Sequence, residues 1–137
     1  MSQLTKEWRF LRSGWIYAFV LTGKQAAATE LVSKALKEVV ERNDLVSSRR
    51  KRRLFFTMLF REGHKIPRSA TTEDGSSPML TRLHGIPEPG RSALALLHLR
   101  LFAPDQIAVI IDQMEKQLPD ILKTARNDIS KIVPATP

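Results

Sequence analysis

The stretch QAAATELVSKALKEVVER, residues 25–42, decides the fold. Its apolar side chains fall at Ala28, Leu31, Val32, Ala35, Leu36, Val39 and Val40. That is the three- and four-residue spacing of a helix with one face turned inward; a strand would alternate instead. Just upstream, Thr22-Gly23 ends an earlier helical stretch, because glycine takes the left-handed conformation that closes a helix. Backwards from there the pattern predicts a helix over about Leu4–Leu21. Forwards, Asn43 and Asp44 end the central helix, and Ser47 or Ser48 can cap the next one. That third helix carries Arg50 through Arg61, and Pro67 limits any extension.

Beyond it, Ser69 to Pro78 is a linker by composition, rich in Ser, Thr, Gly and acidic residues. Pro87, Pro89 and Gly90 open a helix to about Phe102. Pro104-Asp105 starts a short helix to about Ile111, a turn covers Asp112 to Gln117, and a last helix spans about Leu118–Ile132. Leu94, Leu97, Leu101, Ile107, Ala108, Ile111, Leu118, Leu122 and Ala125 make one small core for this half. The expected fold is all-α: two small three-helix units, residues 1–66 and 87–133, joined by a linker at 67–86. The second unit has the outline of a helix-turn-helix, and Pro134 to Pro137 form a frayed tail.

A chain of 137 residues with 42% hydrophobic content can bury a core. There is no cysteine, which excludes disulfides, cysteine-ligated zinc and thiol nucleophiles and fits a reducing cytoplasm. The opening MSQLTKEWRFLRSGW carries charges where a signal peptide needs an apolar run. Trp15 to Leu21 is too short to span a bilayer. The expectation is a cytoplasmic protein with no membrane partner. His64, His84 and His98 are scattered, and no metalloprotease-type pair, paired catalytic carboxylates or nucleophile elbow is present. A non-enzymatic protein without metal or cofactor is therefore expected. The formal net charge is +8, with 15 Lys/Arg against 6 Asp/Glu up to Ser69 and 7 against 8 afterwards. The excess positive charge belongs to the first half and points to nucleic acid or an acidic partner.

Two stretches resemble the two halves of bacterial extracytoplasmic-function sigma factors. Tyr17-Ala18-Phe19-Val20-Leu21-Thr22-Gly23 followed by Ala28-Thr29-Glu30-Leu31-Val32 is similar to the family passage that leads into its polymerase-binding helix. Arg52 to Arg61 stands where the family has a helix on the melted promoter. Ile86 to Leu96 resembles the opening of the second sigma domain. Phe102 to Ala108 resembles the first helix of its helix-turn-helix, and Leu118 to Arg126, with Leu122 and Ala125, its recognition helix. The sequence departs from the family at Ser33 and Lys34, where Gln and Glu are usual, at Pro119 inside the recognition helix, and at Asp112 in place of the turn glycine. The chain looks like a shortened, degenerate member. The resemblance implies a transcription protein binding RNA polymerase core and promoter DNA. The alternative is a sigma mimic that binds an anti-sigma factor without reading DNA. A third reading, a basic helical protein with non-specific nucleic-acid affinity, needs no family at all.

The candidate sites follow from both readings. Arg49, Arg50, Lys51, Arg52 and Arg53 repel one another, by about 1 kcal/mol per close pair in water, and DNA phosphates or an acidic protein would relieve that. Phe55, Phe56 and Phe60 are available for base stacking, although Phe56 and Phe60 also have core spacing. Lys116, Gln117, Lys123 and Arg126, with Gln106, are the polar groups around the recognition-like helix, as DNA contacts or as an ordinary exposed face. Asp112, Glu115 and Asp120 beside them would face phosphate badly. On the central helix, Glu30, Leu31, Ser33, Lys34 and Lys37 form the face that the resemblance offers to a protein partner. Glu30–Lys34 and Lys34–Glu38 also have the spacing of intrahelical pairs.

Overall fold

The computed structural model describes residues 10–41, 48–66 and 82–132. Among them every regular element is helical: α1 (Leu11–Thr22), α2 (Gln25–Glu41), α3 (Ser48–Gly63), α4 (Gly90–Leu99), α5 (Pro104–Ile110), a 3-10 turn at Glu115–Gln117 and α6 (Leu118–Ile132). The first turns expected of the leading helix, at Leu4–Arg9, and the tail at Pro134–Pro137 lie outside the described residues. So does the linker expected at 67–86 as far as residue 81.

On α2 the inward residues are Ala28, Leu31, Ala35 and Val39. Val32 and Leu36 are partly covered and Val40 is half exposed. Gly23 closes α1 at φ +79° and donates its N–H to the Phe19 carbonyl at 2.7 Å. A Cβ there would also lie 2.7 Å from His84 Nε2, so only glycine fits. The His84 ring caps this corner by donating from Nδ1 to the Val20 carbonyl at 2.7 Å, which fixes its tautomer because a carbonyl can only accept. Leu83, His84 and Ile86 are all buried. Arg82 to Ile86, the end of the linker expected at 67–86, therefore belong to the packed body.

Helix α4 stops at Leu99, short of the expected Phe102, because Arg100 turns left-handed at φ +57°. Asp112 takes φ +56° after α5, so an aspartate supplies the left-handed turn that glycine usually supplies. Asp and Asn are the non-glycine residues that tolerate this best. Pro119 is the second residue of α6, in the first turn, where no backbone N–H is required.

The two halves share one core. Helix α1 packs on α4 as well as on α2 and α3, and α3 packs on α5. A column of rings crosses between them: Phe10–Phe55 at 5.3 Å, Phe55–Phe56 at 5.6 Å, Tyr17–Phe56 at 5.8 Å and Phe56–Phe102 at 5.1 Å between centroids. Each such ring contributes about 1.5–3 kcal/mol on full burial, so the contact between the units is cohesive. The small core expected for the second half is one end of this larger one. Ile107, Ala108, Ile111, Leu118 and Ala125 are buried as expected, and Leu94, Leu97, Leu101 and Leu122 are partly covered. No described helix is long and apolar enough to cross a membrane.

Candidate protein interaction faces

The five basic residues at the start of α3 do not act as a block, because each step along a helix turns about 100°. Arg49 lies in the first turn. Arg50 is exposed, Lys51 is buried, and Arg52 and Arg53 are half-buried. The Arg52 guanidinium sits 5.7 Å from the centre of the Phe102 ring, a cation–π contact that ties it to the other unit. Phe55 and Phe56 are fully buried, in keeping with the core spacing of Phe56, and cannot stack on bases. Phe60 is half-buried against the His64 ring, 4.3 Å away. What remains on the surface is a stripe. Arg50, Arg53, Thr57 and Arg61, three or four residues apart, share one face of α3. The Thr57 hydroxyl donates to the Arg53 carbonyl at 2.8 Å.

This stripe borders a groove between α3 and α5 with a volume of about 240 Å³, lined by Thr57, Phe60, Arg61, Val109, Ile110 and Asp112. Val109 is 59% exposed, an aliphatic side chain left in water in the same groove as Arg61. The groove has one wall from each unit, so it exists only while the two halves are held together.

Part of what holds them is a buried polar chain that no sequence motif announced. The Tyr17 hydroxyl on α1 donates to Ser92 Oγ on α4 at 2.8 Å, and Ser92 Oγ donates to Glu88 Oε2 at 2.6 Å. The Ser92 N–H donates to the other carboxylate oxygen at 2.7 Å. His64, just past the end of α3, reaches Glu88 Oε2 at 2.9 Å, and Arg91 Nη2 lies 3.5 Å from it. His64 Nδ1 also contacts the Phe60 carbonyl. Donation from both ring nitrogens requires the imidazolium. Accordingly, the hydrogen bond to Glu88 raises the His64 pKa above its ordinary value. Burial alone would raise the Glu88 pKa, but hydrogen bonds from His64 and Ser92 together with the Arg91 charge outweigh burial and lower it. Burial holds the Tyr17 hydroxyl protonated well beyond its usual range.

On α2, Glu30, Ser33, Lys34 and Lys37 are exposed, while Leu31 points into the core and supports this face from beneath. Lys34 reaches across to Glu62 on α3 at 3.1 Å rather than along its own helix, and Lys65 reaches the same carboxylate at 2.6 Å. Hydrogen bonds from Lys65 and then Lys34 keep the Glu62 pKa low. Lys116, Gln117, Lys123 and Arg126 are all exposed, as are Asp112, Glu115 and Asp120 among them. Gln117 Oε1 accepts the Met114 N–H at 3.3 Å, so this side chain caps the 3-10 turn that precedes α6. Gln106 does the same for α5, accepting the Ala103 N–H at 3.0 Å.

No family model matches the chain, and no curated protein matches it. Two solved structures are similar to it. One is the anti-anti-sigma factor PhyR complexed with the anti-sigma factor NepR from Bartonella quintana, with TM-score 0.66 and 17% identity. That match covers 95% of this chain and 50% of that chain, so the present chain spans half of its length. The other is the PhyRSL–NepR complex from Sphingomonas sp. Fr1, with TM-score 0.68 and 22% identity over 99% of this chain and 94% of that one. At these identities the likeness establishes a shared all-helical fold.

Proposed function

We propose that the chain is a sigma-mimic protein-interaction module that binds an anti-sigma factor and does not read promoter DNA. The observation that carries this reading is the α3–α5 groove. It joins a basic stripe to an exposed Val109 and is built from both units at once. Arg50 to Arg61 spans about 16 Å along α3, three turns of helix. An amphipathic helix of a partner, with acidic residues flanking an apolar anchor, matches that length and polarity. The arginines would speed encounter and set orientation, and Val109 would supply apolar burial. The likeness to PhyR, whose structures hold NepR, supports the same partner class.

The features that a promoter-reading protein would use are weak by comparison. Two of the three rings available for base stacking are in the core. The recognition-like helix carries Asp120 and Asp128 along with Lys123 and Arg126. Carboxylates near a phosphate backbone oppose binding.

The test mixes the purified chain separately with a small anti-sigma protein of the NepR type, with RNA polymerase core, and with single- and double-stranded promoter DNA. Size-exclusion chromatography and calorimetry then report assembly. A one-to-one complex with the anti-sigma protein is expected, weakened at least tenfold by Arg53→Glu with Arg61→Glu. Assembly with polymerase core together with sequence-selective promoter binding would overturn the proposal in favour of a working sigma factor.

A further inference from the structure

A second groove lies between α6 and the Pro87–Gly90 segment, and its chemistry is opposite to that of the first. Its volume is about 290 Å³ and it is lined by Pro87, Glu88, Pro89 and Gly90 on one side and Asp120, Ile121, Thr124, Ala125 and Asp128 on the other. The floor is apolar because Gly90 passes directly over Ala125: a Cβ on Gly90 would lie 2.8 Å from the Ala125 Cβ. Ile121, half-exposed, forms one wall. Asp120, Thr124 and Asp128, four residues apart, run along the rim on one face of α6.

The charge of this rim stands out in a chain whose net charge is +8. Glu88 is held by His64, Arg91 and Ser92. Among the described residues, neither Asp120 nor Asp128 forms an ion pair. Lys123 and Arg126 emerge on the opposite flank of α6, and Lys131, one turn beyond Asp128, does not line the groove. An apolar floor of this size suits a single aliphatic side chain; it lies at the lower end of the range for small-molecule sites. Asp120 and Asp128 are eight residues apart, about 12 Å along the helix axis. In an extended segment, residues i, i+2 and i+4 face the same way and cover about 13 Å.

We propose that this groove docks a short extended segment of a partner protein in which one aliphatic side chain is flanked, two residues to either side, by lysine or arginine. The aliphatic group covers Ala125 and Ile121, and the two cations meet Asp120 and Asp128. This proposal does not depend on the anti-sigma reading, since it concerns a different face and the opposite charge.

The experiment is an NMR titration of the ¹⁵N-labelled full chain with a capped pentapeptide bearing lysine at positions one and five, leucine at three and serine between. Shift changes are expected at Gly90, Ile121, Thr124 and Ala125. They should weaken as salt rises from 50 to 500 mM, because exposed charges are screened more strongly at the higher value. The double variant Asp120→Asn with Asp128→Asn, its folding checked by far-UV circular dichroism, should lose at least fivefold in affinity. A peptide with glutamate for lysine should produce no shifts. Equal binding by a peptide with serine in place of leucine, undiminished affinity in the double variant, or shifts centred outside this groove would each overturn the proposal. A chain that fails to bind any anti-sigma protein would leave this result unaffected.

Discussion

Replacing Glu88 by glutamine tests how firmly the two units are joined. The carboxylate accepts the Ser92 N–H at 2.7 Å and the Ser92 hydroxyl at 2.6 Å, and it faces His64 and the buried Arg91. Glutamine keeps the shape and one carbonyl oxygen but presents an amide donor where the second oxygen had accepted. Hydrogen bonds to a charged group are worth about 1.5–3 kcal/mol, and a buried donor left without an acceptor costs about 1–3 kcal/mol. The His64 side chain is 35% exposed, so solvent screening reduces its share to about 1 kcal/mol or less. Because these losses overlap, the expected total is about 3 kcal/mol. For a domain of this size that corresponds to a Tm lowered by about 9–12 °C. The loss should depend on pH in a definite sense. His64 titrates above its ordinary 6.5 in the folded chain, so its contribution is complete below about that pH and fades as pH rises through the folded value. Glu88 titrates below its ordinary 4.5, so its contribution is present above that pH and fades as pH falls through the folded value. The gap between the parent and the Glu88→Gln variant should therefore be widest between about pH 4.5 and 6.5. Thermal denaturation at pH 5.5 and 8.0, with His64→Gln completing a double-mutant cycle, measures both effects. A Tm drop under 2 °C at pH 5.5, or a gap that widens toward pH 8, would refute the role given to the Glu88 contacts in joining the two units.

Phe56→Ala removes the ring that joins Tyr17, Phe55 and Phe102. It should cost about 3–5 kcal/mol by chemical denaturation, whereas a surface base-stacking ring would cost little. Pro119→Ala should change stability by no more than about 0.5 kcal/mol by denaturant melts, since first-turn proline loses no hydrogen bond; a large loss would contradict that placement. Replacing Arg49, Arg50, Lys51, Arg52 and Arg53 with glutamine should remove most residual nucleic-acid affinity and its salt dependence, while changing Lys116, Lys123 and Arg126 removes little. Filter binding across a salt series decides this, at about 0.9 log unit per tenfold salt for each phosphate neutralised in a duplex. The five-residue variant also loses the Arg52 contact with Phe102, so its melting temperature should be measured alongside.

The period of Ala28, Leu31, Ala35 and Val39 was enough to specify an inward helical face, because a helix repeats every 3.6 residues whatever it packs against. Gly23 likewise marked its helix end, since the left-handed closure is a local matter. The charge asymmetry was legible too, since it is a count along the chain. Local sequence could not say where five consecutive basic side chains go once wound on a helix whose other side carries Phe55 and Phe56. Nor could it say that Asp112, which stands where the turn glycine is usual, adopts the left-handed conformation that the turn requires. Tyr17, His64, Glu88 and Ser92 meet only because α1, the end of α3 and α4 converge, and Tyr17 and Ser92 lie 75 residues apart. Residues that distant leave no periodic trace in a single sequence. The same holds for both grooves, since each takes its two walls from separate elements: α3 and α5 for one, Pro87–Gly90 and α6 for the other. Composition and helical period are properties of neighbours along the chain, so the sequence determined the elements and the sign of their charge. The surfaces that could meet a partner are properties of neighbours in space, and tertiary packing alone decided them.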